Sequence, residues 1–143
     1  MIREIENKDI DKVMEIWLKS TIKAHDFISK EYWENNYNTV KDVYIPMSET
    51  FIYEDEEKNI KGFISIINEE FIGALFVDVN CQGNGIGKEL INFAINKYKK
   101  LNLAVYKENK KSVDFYINRG FKIINAQNNE DSGYEEYIME KSL

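Results

Sequence analysis

The sequence has 143 residues, 43% hydrophobic and 13% aromatic, with a formal net charge of -6 at pH 7 and no basic block. That length and apolar share suit a single domain over residues 1–143 with one core, and the acidic balance argues against nucleic acid as a partner. A single cysteine excludes an internal disulfide and fits a reducing cytoplasm; one histidine with one cysteine excludes a zinc site of the usual kind; and no apolar run suggests a membrane span or signal-peptide core.

Arg3 to Ile5 reads as a short first strand. Asn7 to Asp9 offers cap chemistry, and Ile10, Val13, Met14, Trp17 and Leu18 then recur at helical spacing, so a helix is expected to end near Ala24. His25-Asp26-Phe27-Ile28 follows as a loop. Ser29 is placed to cap a second helix bearing Tyr32, Trp33, Tyr37, Val40 and Tyr44, which Pro46 should stop. Thr50 to Glu54 and Ile60 to Ile67 form a hairpin around the charged turn Asp55–Asn59. A fourth strand is expected over Phe71 to Val79, with Gly73 a place for a bend.

That strand runs into Asp78-Val79-Asn80-Cys81-Gln82-Gly83-Asn84-Gly85-Ile86-Gly87-Lys88, and then into a helix whose apolar face is Ile86, Leu90, Ile91, Ala94 and Tyr98. A strand turning through glycines into a helix N-terminus is an anion site. The first helical amides have no partners within the helix, and its dipole is positive there. A Walker A loop is excluded, because Gln82 and Glu89 stand where it needs Gly and Ser or Thr. The dinucleotide fingerprint is excluded by the spacing Gly-x-Gly-x-Gly from Gly83. The pattern that fits is Gln-x-x-Gly-x-Gly, from Gln82 to Gly87.

Leu101 to Tyr106 reads as the next strand, parallel to the one before because a helix connects them. Asn109 can cap a short helix in which Val113, Tyr116 and Ile117 share a face, with Gly120 just past its end. Phe121 to Ile124 is a strand, Asn125 to Gly133 a turn-rich stretch, and Tyr134 to Met139 a closing strand. The fold class is therefore α/β with a mixed sheet.

The loop from Gln82 to Gly87 resembles the pyrophosphate loop of the GNAT acetyltransferases. One strand downstream, Asn109-Lys110-Lys111-Ser112-Val113-Asp114-Phe115-Tyr116-Ile117-Asn118-Arg119-Gly120-Phe121 resembles that family's Asn-x-x-(Ala/Ser)-x-x-Phe-Tyr-x-x-x-Gly-Phe segment. Ala24 to Ile28 with Glu31-Tyr32-Trp33 is similar to the small bacterial YiaC/YjaB-type members. The resemblance implies a GNAT-like acyl-CoA acyltransferase fold, a central mixed sheet flanked by about four helices. It also implies acetyl-coenzyme A as cosubstrate, with coenzyme A as product.

The same resemblance implies roles by position. Amides of Gly83, Asn84, Gly85, Ile86, Gly87 and Lys88 would hold the pyrophosphate, with Gln82 opening the loop. Backbone groups of Val77 and Val79 would pair with the pantetheine arm, and Asn109 and Ser112 would lie beside that arm and the sulfur. Tyr116 would protonate the leaving thiolate, a role that suits a phenol with an ordinary pKa of about 10. Without the resemblance, Asn109 reads equally well as an N-cap alone, and Tyr116 at helical spacing with Val113 is more often core than catalyst.

His25, Asp26 and Phe27 are expected to border the acceptor. The base stays open among Glu69, Glu70, Asp78 and His25. The expected reaction is direct attack of an amine on the thioester in a ternary complex. The acceptor is a protein lysine by preference, with a protein N-terminus or a small amine as the other choices. A cytoplasmic monomer or homodimer is expected, with no membrane or nucleic-acid partner. The alternative is a non-catalytic acyl-coenzyme A-binding module.

Overall fold

The computed structural model describes residues 1–142. Strands β1 (Ile2–Glu4), β2 (Glu49–Glu54), β3 (Ile60–Ile67), β4 (Phe71–Val77), β5 (Lys100–Tyr106), β6 (Lys122–Asn128) and β7 (Glu135–Ser142) form one mixed sheet in the order β1-β2-β3-β4-β5-β7-β6. Helices α1 (Ile10–Ala24) and α2 (Lys30–Thr39) precede β2. A single helical turn, α3 (Ile45–Met47), follows α2, and α4 (Ile86–Lys97) and α5 (Lys110–Asn118) flank β5 in the chain.

Alternation along the strands divides the interior in two. On β3, Phe63 packs with Val13, Met14, Trp17 and Trp33 from α1 and α2. Its neighbour Ile64 packs with Leu90, Ile91, Val113 and Tyr116 from α4 and α5. The sheet is thus covered by helices on both faces, and all of these side chains are buried. No helix among the described residues is long and apolar enough to cross a membrane.

The sheet parts in its middle. β4 and β5 run parallel, as expected, but pair only at Phe71↔Asn102. A register shift against β3 leaves Gly73 without an opposite residue, a bulge that bends β4 at that point. Beyond it, Ala74 to Val77 are half-exposed although they sit in a central strand.

Three boundaries differ from the sequence reading. β4 stops at Val77 rather than Val79, because the Asp78 carboxylate accepts from Asn80 N–H at 2.9 Å and its carbonyl accepts from Cys81 N–H at 2.8 Å. The second helix does not run unbroken to Pro46. It passes from α2 through a π-helical turn over Val40–Tyr44, where Ile45 N–H reaches Val40 C=O, and Pro46 then sits inside α3. β6 extends to Asn128, through residues expected to be turn, because pairing with β7 resumes after a bulge at Ile124.

The N-terminus is fastened by ions. The Arg3 guanidinium makes a two-pronged contact with buried Asp9, at 2.8 and 3.1 Å, and reaches Glu54 at 3.2 Å. Asp9 also accepts from Glu6 N–H at 2.8 Å, so the cap chemistry of this stretch is built around Asp9. Arg3 holds the Asp9 carboxyl below its ordinary value, mainly through the direct hydrogen bond.

Candidate active site

The open edge of β4 follows from antiparallel alternation. Asp78 N–H donates to Lys61 C=O at 2.8 Å, so the N–H and C=O groups of Val77 and Leu75 turn the other way, toward β5. The Val77 carbonyl there accepts from the Ser20 hydroxyl at 2.9 Å and from the Gln82 side-chain amide at 3.2 Å. The Val77 N–H and both backbone groups of Leu75 face the parted strands. Val79 lies in the turn past the strand, beside a cleft of about 100 Å³ lined by Lys12, Glu15 and Lys19. The edge expected from Val77 and Val79 therefore belongs to Leu75 and Val77.

At the mouth of the gap the chain turns through Gln82–Gly85 into α4. Gly83 and Gly85 have φ of 86° and 83°, and an added Cβ would meet nothing within 4 Å at either. Conformation, not crowding, requires glycine there. No backbone amide from Gln82 to Lys88 donates a hydrogen bond among the described residues, and no side chain caps α4. Gln82, Gly83, Asn84, Gly85 and Lys88 are exposed, while Ile86 turns into the core. The result is a run of unpartnered donors at the positive end of a helix.

Asn109 is buried and caps α5: its Oδ1 accepts from Ser112 N–H at 3.3 Å. Its Nδ2 lies 3.2 Å from His25 Nε2, which joins the end of α1 to the start of α5. His25 is only 7% exposed. Its Nδ1 lies 2.9 Å from the Thr21 carbonyl and 3.1 Å from the Thr21 hydroxyl, and Phe27, Trp33 and Tyr106 surround the ring. Burial pushes the imidazole pKa down, against the Thr21 carbonyl and the charge of Asp26.

Tyr116 is buried between Phe115 and Phe121, with ring centroids 5.3 and 5.5 Å away. Burial raises its pKa, so the phenol keeps its proton at neutral pH. Ser112 is half-buried, four residues before it on the same helix.

Opposite α5, the loop after α1 docks on the β6–β7 connection. Phe27 packs on Tyr134 and Tyr106 at 5.2 and 5.7 Å, and the Tyr32 hydroxyl donates to Asp131. Phe27 is half-buried and Asp26 exposed, while His25 stands behind them. Glu136 is buried nearby, accepting from Gln127 Nε2 at 2.7 Å and Asn129 Nδ2 at 3.4 Å. Of the base candidates, Asp78 is 3.8 Å from the Lys12 ammonium and Glu70 is 3.4 Å from the Lys100 ammonium. Both ring nitrogens of His25 are in use, and Glu69 is exposed.

Residues 19–143 match the model of the Acetyltransferase (GNAT) domain. The chain belongs to the GNAT acetyltransferase family. Among relatives of this GNAT chain, the peptidyl-lysine N-acetyltransferase YiaC of Escherichia coli (strain K12) is 32% identical over 139 residues, covering 97% of this chain and 94% of the relative. The peptidyl-lysine N-acetyltransferase YjaB of Salmonella typhimurium (strain LT2) is 30% identical, covering 92% and 90%. The solution structure of apo-form YjaB from Escherichia coli superimposes with a TM-score of 0.85 at 25% identity, covering 98% and 95%. The PaiA N-acetyltransferase from Thermoplasma acidophilum, a complex with coenzyme A, shares the fold at a TM-score of 0.80 and 21% identity, covering 100% and 98%.

Some residues that line this gap or its surroundings escaped the sequence reading. Ser20 on the Val77 carbonyl had one signal, a hydroxyl on the apolar face of α1. Leu75, Tyr106, Asp131 and Glu136 had none, because register and long-range packing bring them here.

Proposed function

We propose that this chain transfers the acetyl group of acetyl-coenzyme A to the side-chain amine of a protein lysine. The observation that carries this reading is the run of undonating amides from Gln82 to Lys88 at the mouth of the parted strands β4 and β5. Acetyl-coenzyme A supplies the activated acyl group as a thioester. The amides of that loop bind a pyrophosphate, and Leu75 and Val77 offer strand-edge groups to an extended amide-bearing arm. A β4 N–H aimed into the gap stabilises negative charge growing on the carbonyl oxygen. As the new C–N bond replaces the C–S bond, Tyr116 donates its phenolic proton to the departing thiolate sulfur; the acceptor amine releases its two protons to solvent water, one of which restores the phenol, and Asn109 and Ser112 flank Tyr116 at the start of α5.

The acceptor approaches from the side of Asp26, Phe27 and the β6–β7 connection. Asp131 and Glu136 give that side a negative potential, which favours an amine reaching it as a cation. The names of the relatives favour protein lysine over a free small amine.

The test incubates the protein with acetyl-coenzyme A and three acceptors: a lysine peptide, the same peptide with arginine for lysine, and spermidine. Mass spectrometry should find a 42 Da gain on the lysine peptide alone (the mass of one acetyl group replacing hydrogen). Acetylation of spermidine alone would contradict the protein-lysine reading. Cofactor binding without any transfer would support a non-catalytic binding module.

A further inference from the structure

The contacts of His25 form a chain whose hydrogen-bond direction can be read from its ends. The Thr21 carbonyl only accepts, so the His25 nitrogen 2.9 Å away, Nδ1, carries the proton. The other nitrogen, Nε2, is then an acceptor, and the group facing it at 3.2 Å must be the NH₂ of Asn109. That leaves Oδ1 to accept from Ser112 N–H at the first turn of α5. The path runs Ser112 N–H to Asn109 Oδ1, Asn109 Nδ2–H to His25 Nε2, and His25 Nδ1–H to Thr21 C=O. It spans 84 residues of sequence between its two side chains and lies between the helices on opposite faces of the sheet.

We propose that His25 is a positioning residue for cofactor binding: its imidazole fixes which way the Asn109 carboxamide faces. In that orientation Asn109 caps α5 with its oxygen and keeps its second N–H free for a carbonyl in the gap. The inference rests on the reading that Asn109 borders the pantetheine arm. A proton on Nε2 would set two donors face to face. The Asn109 amide would then have to invert, or the contact break, and either change uncaps α5. Asp26 is the one charged group facing the ring, and Thr21, Phe27, Trp33, Tyr106 and Asn109 complete its surroundings, with Tyr106 held protonated by burial.

His25 is the only histidine of the chain, so ring-nitrogen NMR on labelled protein reads it without ambiguity. At pH 8 the Nδ1–H tautomer is expected, and the Nε2–H tautomer would overturn the proposal. Calorimetry with 3′-dephospho-coenzyme A, chosen because a terminal phosphate itself titrates near pH 6, is then run at pH 8 and pH 5, the lower pH being set by the lowered value of the buried imidazole. Wild-type binding should weaken at the lower pH. The His25→Phe variant should bind roughly tenfold more weakly at pH 8, the scale of one lost hydrogen bond, with no further change at pH 5. Its KM for the cofactor should rise by a larger factor than its kcat falls.

Wild-type affinity and pH dependence in the Phe variant would make His25 a packing residue. A change confined to the acceptor KM would place it on the acceptor side. Both overturn the proposal. If the variant does not fold, the wild-type tautomer and pH dependence decide. No binding of the cofactor to wild type at either pH would instead sink the reading of the site itself.

Discussion

A single oxygen atom distinguishes Tyr116 from phenylalanine, and the proposed transfer needs that oxygen. Tyr116→Phe keeps the ring between Phe115 and Phe121 and should leave both the unfolding midpoint and acetyl-coenzyme A affinity unchanged. Single-turnover acetylation should slow by roughly 10²–10⁴, the usual contribution of a general acid. A native single-turnover rate would make Tyr116 a packing residue. Gly85→Val addresses the loop: φ of 83° is hostile to a β-branched side chain, and the added carbons would stand among the amides. Calorimetry should find cofactor affinity lowered by at least about tenfold, since several charge-assisted hydrogen bonds are disturbed together. Unchanged affinity would move the phosphates elsewhere. Both residues stand out in the sequence because their motifs are local. The Asn109–His25 contact does not. Asn109 was readable as a cap, but nothing local to His25 tells a core histidine from one facing substrate.

Among the elements, β4 and its neighbours decide the site. The element order and the parallel pairing of β4 with β5 could be read from the strand–helix–strand pattern. The point where β4 leaves the ladder could not, because it depends on the Asp78 side chain competing for backbone amides. β6 was cut short for a similar reason: Asn125 to Asn128 look like turn residues, and only pairing with β7 keeps them extended. The N-terminal elements hang on Arg3. Arg3→Met removes the cation from Asp9 and Glu54, whose side chains are only 5% and 10% exposed. It should cost about 3 kcal/mol in urea unfolding, the low end for stranding a buried charge. A loss within experimental error would show that these carboxylates find water or other partners.

At the scale of the whole molecule, stability and pH are linked through the groups burial perturbs. The unfolded chain's histidine titrates near 6.5, and burial lowers the folded value below that. Between the two values the unfolded state binds more protons. The stabilisation is therefore complete above pH 6.5 and is lost as pH falls toward the folded value. Asp9 loses its contribution in a separate, more acidic window, below its ordinary 3.8. Urea midpoints should therefore decline from pH 7 to pH 5 in wild type, and this limb should be missing in His25→Phe. An identical decline in both would assign it to other groups.

The central claim is that acetyl-coenzyme A lies along the open edge of β4 with its pyrophosphate on the loop before α4. Amide hydrogen exchange with and without acetyl-coenzyme A measures this directly. The amides from Gly83 to Lys88 carry no partner among the described residues, and those of Leu75 and Val77 face the gap. All should exchange quickly in the free protein and slow together at saturating cofactor. Unchanged exchange at these amides, with protection appearing at another surface or nowhere, would contradict the account.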